Sequence, residues 1–410
     1  MTKPITTFLL ILLLILPACV EIPEIIQQPA TPAPPTATPL IIQATPTLPV
    51  PLPTATQEII PSETAAPSAA RADEPALQLA EIAMFDASNG WAKSEEALYR
   101  SADGGQTWQS LQIALPEAHT YFSATFLDAQ TGYVVSTDLE NPPSLLSITR
   151  DGGQTWAQVK LNNLAPTFAS LVAVSPETLF LFENLGAAAG SQGVALSRSL
   201  DGGQTWEQTF AHVPGDTSGA SLPFGGQKSL PAFLDSSLGF IGGSIPVENN
   251  IYFYRSEDGG RNWLVQPLPV PAQISGYMAM VNNPIAFPGN NEHILVPVHF
   301  SLPEGSQFVF FASADRGQTW QASSLLIKAE AYQFIDLQTG WVWSDGTLQT
   351  TRDGGQTWLT LTHNLPANTS LRQINFIDPQ TGWALAFDLD FQSRLYFTSD
   401  GGQTWSELYP

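Results

Sequence analysis

The chain has 410 residues, with 37 acidic against 15 basic side chains and a formal net charge of −22. That balance excludes the electrostatic grip on nucleic acid or anionic lipid that a basic surface provides. A single cysteine, Cys19, excludes a disulfide framework and any cysteine-based metal site.

The N-terminal quarter differs in composition from the rest. Residues 1–19 read as Lys3, the apolar run "FLLILLLIL" (8–16) and then "LPAC" ending at Cys19. Nine apolar residues cannot cross a hydrocarbon core of about 30 Å, so this run reads as a signal-peptide core. "LPAC" resembles a bacterial lipobox. The resemblance implies lipid attachment at Cys19 and a mature chain held in the cell envelope, on the extracytoplasmic side of a bacterial membrane. Residues 20–75 are rich in Pro and Thr, which prevents helix and sheet and favours extended polyproline II. We read them as a disordered tether reaching at most ~170 Å, from a rise of about 3.1 Å per residue.

From residue 76 onward one motif recurs. "SADGGQTW" (101–108) returns as "TRDGGQTW" (149–156), "SLDGGQTW" (199–206), "SEDGGRNW" (256–263), "SADRGQTW" (313–320), "TRDGGQTW" (351–358) and "TSDGGQTW" (398–405). Its aspartates, Asp103, Asp151, Asp201, Asp258, Asp315, Asp353 and Asp400, are spaced by 48, 50, 57, 57, 38 and 47 residues. A period in this range is the mark of a repeat architecture. Asp-Gly between β-prone stretches supplies the positive φ of a tight hairpin, and the Asp accepts backbone N–H groups inside it. The tryptophans Trp108, Trp156, Trp206, Trp263, Trp320, Trp358 and Trp405 are expected to pack between neighbouring sheets.

A second motif precedes most copies: "FDASNGW" (85–91), "FLDAQTGY" (126–133), "FLDSSLGF" (233–240), "FIDLQTGW" (334–341) and "FIDPQTGW" (376–383). The third and fifth units carry "VAVSPETLFLF" (172–182) and "AFPGNNEHILVPV" (286–298) instead. Each unit therefore reads as four antiparallel strands, one propeller blade. The spacing predicts an all-β, seven-bladed propeller over 76–410, with blades at 77–115, 116–163, 164–212, 213–269, 270–326, 327–364 and 365–410. Ring closure is open: residues 404–409 complete the last blade alone, or Leu77–Leu79 pair beside it.

The repeated box resembles the Asp-box, or bacterial neuraminidase repeat, of sialidases, xyloglucanases, sortilin-type receptors and photosystem II assembly factors. Its pairing with the "FxDxxxGW" motif is most similar to the last of these. The resemblance implies a scaffold that holds a membrane-protein partner, helped by a basic patch, and in this reading the box residues are architectural. The alternative is a glycan-binding or sialidase-like surface protein. The chain lacks the Arg-Ile-Pro segment expected of sialidases, and seven of its ten arginines lie beside or within box turns. Its five histidines show no metal spacing. We therefore expect no catalytic residue, no metal and no cofactor. The expected partners are the membrane through the lipid and a membrane or extracytoplasmic protein, with a glycan as the alternative. The propeller itself is expected to be a monomer.

Strand parity assigns the faces. Both short motifs fall on one side, and the long, varied loops fall on the other, where a rigid scaffold usually carries function. The candidate binding residues there are Asp138, Glu140, Phe224, Lys228, Glu248, Asn249, Asn250, Glu304, Asp388, Asp390 and Arg394. The connector 212–232, with Phe224 and Lys228, reads as a flexible arm.

Overall fold

The computed structural model describes residues 77–408 apart from 96, 117–118, 138–143, 162–167, 189, 214–220, 248–249, 304, 327 and 368. The expected signal peptide, Cys19 and the tether lie outside the described residues. Within them the chain is all β, with one 3-10 turn at Ala272–Ile274.

The box builds one hydrogen-bonded turn seven times. In the third copy the Ser199 hydroxyl donates to Asp201 Oδ1 at 2.8 Å and accepts Gly203 N at 2.8 Å. Asp201 also accepts Thr205 N at 2.9 Å and the Thr205 hydroxyl at 2.6 Å. In the fourth copy Asn262 takes the threonine's place, through its backbone N–H and its side-chain amide. The two glycines hold φ values near 71° and 91° in the third copy, left-handed backbone that a Cβ would strain. In the fifth copy Arg316 occupies the first of these positions at φ 63°. Its guanidinium offsets that strain by binding Asp235 of the preceding blade at 2.5 Å.

The second motif makes a matching turn. Asp128, for example, accepts Gln130 N and Thr131 N at 2.7 Å each. The divergent third and fifth units keep the same turn with other acceptors. Ser175 accepts Glu177 N and Thr178 N, and Asn290 accepts Glu292 N and His293 N. The box turn then donates a backbone N–H to this first turn, as from Gly104 to Ser88 O and from Gly401 to Gln380 O, both at 2.8 Å. Both short motifs therefore lie at one end of their blade.

The strands form seven antiparallel sheets among the described residues, which we number as blades in chain order. Blade 1 runs Glu81–Met84, Gly90–Lys93, Leu98–Ser101, Gln109–Ser110, and blade 7 runs Ser370–Phe376, Gly382–Phe387, Ser393–Thr398, Ser406–Glu407. Each takes all four strands from contiguous sequence. Residues 406–407 complete the last blade by pairing with 396–397. Leu77–Leu79 lie beside that blade without forming a strand, held through Ser393.

First strands expose an unpaired backbone edge, and polar side chains of the adjacent blade cover it. Gln373 of blade 7 accepts Ile82 N at 2.9 Å and donates to Ile82 O at 2.7 Å, which joins the last blade to the first. Asn375 accepts Met84 N at 2.5 Å. Gln333 makes the same pair of bonds to Phe376, and Ser123 and Thr125 bind Leu171.

Each box tryptophan packs on the preceding blade. Trp206 joins the Tyr133, Leu146 and Ile148 cluster, and Trp405 joins Trp341, Trp343 and Leu348. Trp108 of blade 1 packs with Trp383 of blade 7, so the pattern runs around the ring. Trp341 stacks on Phe376 at 3.7 Å between centroids.

One boundary differs from the sequence reading. Residues 213–269 do not all belong to blade 4, whose strands are Ala232–Phe233, Gly239–Ile241, Tyr254–Ser256 and Leu264–Val265. Gly243–Ser244 and Gln227–Lys228 instead extend the sheet of blade 5 beyond its first strand, Met278–Val281. Gly242 and Gly243 permit this. A Cβ at Gly242 would lie 2.6 Å from Val281 Cγ1, and one at Gly243 would lie 2.1 Å from Gln227 O.

Two measurements test this frame. Trp405 is 5 % exposed and donates Nε1–H to Gly402 O at 2.9 Å. Trp405→Ala should lower stability by about 3–5 kcal/mol in urea unfolding. Hydrogen bonds from Thr155, Thr205 and Thr319, hydroxyl first and then amide, hold Asp151, Asp201 and Asp315 down at about 2. An unfolded aspartate titrates near 3.9, so these bonds contribute fully above about pH 4 and are lost as pH falls toward 2. The melting temperature should stay level from neutral pH to about 5 and then drop steeply between about 4 and 2.

Candidate binding face

The box end of each blade is tied down. Arg100 donates to Gly152 O at 3.1 Å and Arg198 to Ser236 O at 2.8 Å. Arg150 donates to Pro176 O at 3.0 Å and to the Tyr133 hydroxyl at 2.6 Å, and Arg352 donates to Pro379 O at 3.2 Å. Indoles add to this, as Trp383 Nε1 donates to Gly104 O at 2.8 Å. Apart from the Arg150–Tyr133 contact, which lies within blade 2, each of these bonds crosses to the neighbouring blade. Arg100, Arg150, Arg198 and Arg352 therefore join blades, and Arg255 is paired with Glu257 at 2.8 Å.

The opposite end carries the candidate residues. Asp138, Glu140, Glu248, Asn249 and Glu304 lie outside the described residues. Asn250 is exposed. Asp388 and Arg394 come together at 3.0 Å, with Glu407 at 3.4 Å from the same guanidinium. Asp388 also accepts Gln392 N and Asp390 N at 2.9 Å each, which with Arg394 hold its carboxyl below the usual range. Asp390 stays exposed beside them.

Phe224 and Lys228 do not form a free arm. Lys228 is buried, and its ammonium donates to the carbonyls of Phe224, Gln192, Gly226 and Gly225 at 2.5, 3.0, 3.1 and 3.3 Å. It also lies 5.7 and 5.5 Å from the ring centres of Phe224 and Tyr252. Burial pushes it down to about 8. The described part of the connector is docked on blade 3: Gly226 N donates to Gly190 O at 2.7 Å, and Lys228 N to Gln192 Oε1 at 2.6 Å. A lysine surrounded by carbonyls is a clasp here, and its length and polarity in sequence resemble those of a solvent-facing cation.

Between the extended sheet of blade 5 and blade 6 the structure opens two adjoining hollows that share Met280 and Asn282, of about 330 and 450 Å³. The first also takes Ser229, Ser244, Asn283 and Tyr332, and the second takes His299, Phe308 and Lys328. Met278 and Met280 alternate with buried Ala279 and Val281, so both thioethers face outward, 44 % and 45 % exposed. Lys328 is paired with Glu330 at 2.5 Å and with Asp345 at 2.9 Å. Burial pushes His299 down, favouring its neutral form. The Tyr332 hydroxyl accepts Asn282 Nδ2 at 3.3 Å. The cleft is thus adaptable thioether and aromatic surface edged by amides, chemistry suited to a peptide. The loop-centred sequence reading missed it, although the alternation in "YMAMV" (277–281) was a usable signal. Among the described residues no group of three or more His, Cys, Asp or Glu could hold a metal ion.

The clasp can be tested directly. Lys228→Ala leaves up to four carbonyls without their donor and should cost about 1–3 kcal/mol in urea unfolding. It should also increase protease nicking within 221–228.

The comparisons with known proteins agree with this architecture. Residues 71–219 match the family described as photosynthesis system II assembly factor YCF48. The photosystem II assembly protein Ycf48 of Synechococcus sp. (strain JA-2-3B'a(2-13)) is 27% identical over 311 residues, which cover 73% of this chain and 79% of that protein. A solved structure described as YCF48 bound to D1 peptide superposes with a TM-score of 0.51 at 18% identity, over 79% of this chain and 93% of that one. YCF48 from Cyanidioschyzon merolae gives 0.50 at 15% identity, over 79% and 95%. In the box repeat, the strand order and the sequence likeness alike, the chain is an Asp-box β-propeller similar to the photosystem II assembly factors.

Proposed function

We propose that this protein is a non-enzymatic assembly scaffold that binds a segment of a membrane protein. In this reading residues 1–19 direct export, lipid on Cys19 anchors the chain, and residues 20–75 are the tether that holds the propeller on the extracytoplasmic side. The observation that carries the proposal is the likeness to a photosystem II assembly protein along most of both chains. A related propeller described as bound to a D1 peptide suggests the ligand class, an extended peptide of a membrane protein. The cleft around Met280 and Tyr332 supplies suitable chemistry: methionines adapt to varied side chains, and Asn282 and Asn283 offer amides to a peptide backbone. The arginines bound to neighbouring blades argue against a clamp for an anionic ligand.

The test is affinity capture from detergent-solubilised membranes of the protein's own source, using the full chain. A membrane protein should co-purify. Met280→Asp should weaken that capture about tenfold or more, equivalent to about 1.4 kcal/mol, without moving the melting temperature. Turnover of a sialoside or glucan panel, with no protein captured, would overturn the scaffold reading. For the anchor, Cys19→Ser should shift the protein from the membrane to the soluble fraction or leave it unprocessed. A processed Cys19→Ser protein that still needs detergent for release would exclude the lipid.

A further inference from the structure

Single exposed apolar side chains are ordinary, but two on one tight loop tip call for a reason. Leu389 and Phe391 are 81 % and 82 % exposed, more than any other large apolar side chain among the described residues. They stand between the second and third strands of blade 7, at the end away from its box turn. The tip is held firmly: Asp388 N donates to Gln392 O at 3.0 Å, and Phe391 N to Asp388 O at 3.1 Å. Phe391 keeps φ at 60°, a left-handed backbone that non-glycine residues adopt only at a cost. The loop therefore fixes two apolar side chains in water when a relaxed loop could have turned them inward.

The chain enters the propeller at the foot of this same loop. Leu79 N donates to the Ser393 hydroxyl at 2.9 Å, which donates in turn to Leu77 O at 3.0 Å. Ser393 N donates to Gln78 Oε1 at 2.9 Å, and Gln78 Nε2 donates to Gln392 Oε1 at 2.7 Å. The described structure thus begins at the foot of this loop, with Cys19 upstream of it in sequence.

We propose that this loop is the edge on which the propeller rests against the bilayer, with Leu389 and Phe391 dipping into a zwitterionic lipid interface. The inference rests on the reading of Cys19 as a lipid anchor. A tether tied at 77–79 applies its pull to blade 7 and brings that edge to the membrane first. Charge selects the lipid. Asp388 is neutralised by Arg394, Asp390 remains at the tip, and a net charge of −22 opposes anionic headgroups. The contact is therefore shallow and apolar, confined to the boundary between headgroups and acyl chains. Two side chains bind weakly alone, and the anchor supplies the local concentration that makes them effective.

The test uses the full chain, lipidated at Cys19, on phosphatidylcholine vesicles. An environment-sensitive label is placed through Leu389→Cys or, as a control on the box side, through Gln106→Cys. Flotation reads the anchor, and iodide quenching reads exposure of the label. On floated protein the label at 389 should be roughly threefold or more less quenchable than at 106, and Phe391→Asp should abolish the difference. Equal quenching on floated protein overturns the loop inference and leaves the anchor standing. Protein that does not float overturns the anchor and the loop inference with it. Protection at 389 without vesicles, rising with protein concentration, assigns the loop to a second copy and also overturns the proposal.

Discussion

The structure depends on how a short acidic turn satisfies its own backbone. A two-glycine hairpin leaves several N–H groups pointing inward, and the box carboxylate with the hydroxyl two residues before it takes them up. Because the partners of this carboxylate and hydroxyl lie within four residues, the turn is set largely by its own sequence. It can therefore repeat unchanged where the strands around it vary. The second turn works the same way and tolerates Ser175 or Asn290 in place of aspartate, since only one short-range acceptor is required. The acidity of the chain follows partly from this use of aspartate.

Fixed turns at one end of every blade set the packing between blades. The tryptophan that ends each box reaches the preceding blade, and arginine or indole N–H groups cross to neighbouring turn carbonyls. At the inner strands, glutamine, asparagine and serine side chains cover backbone edges that would otherwise stay unpaired. Hydrophobic contact and polar satisfaction thus act at the same blade boundaries. The ring closes between Gln373 and Ile82 by the same device that joins other blades, without borrowing a strand from the opposite end of the chain.

With one end occupied by stabilising contacts, the other is left to vary. There the regular pattern gives way: blade 5 takes in two extra short strands, Lys228 clasps two segments, and a thioether-lined cleft opens between blades 5 and 6. A rigid ring with one irregular face is a reasonable platform for holding a partner segment. The described chain begins beside blade 7, away from the cleft in chain order.

The sequence by itself determined the repeat, the all-β class, the chemistry of both turns and which end of each blade they occupy. These features rest on hydrogen bonds between near neighbours and on strand parity, and both are written locally. Only the tertiary structure decided where Lys228 points, because its acceptors include Gln192 of another blade, 36 residues away. It likewise decided that Gly243 pairs into blade 5 and that Met280 meets Tyr332. Those contacts depend on how closely two backbones approach, which at Gly242 is a matter of one missing Cβ. Loop length and polarity suggested a free arm at 212–232, but the docking of its described residues 224–228 on a neighbouring blade is a property of the assembled ring, and no single repeat contains it.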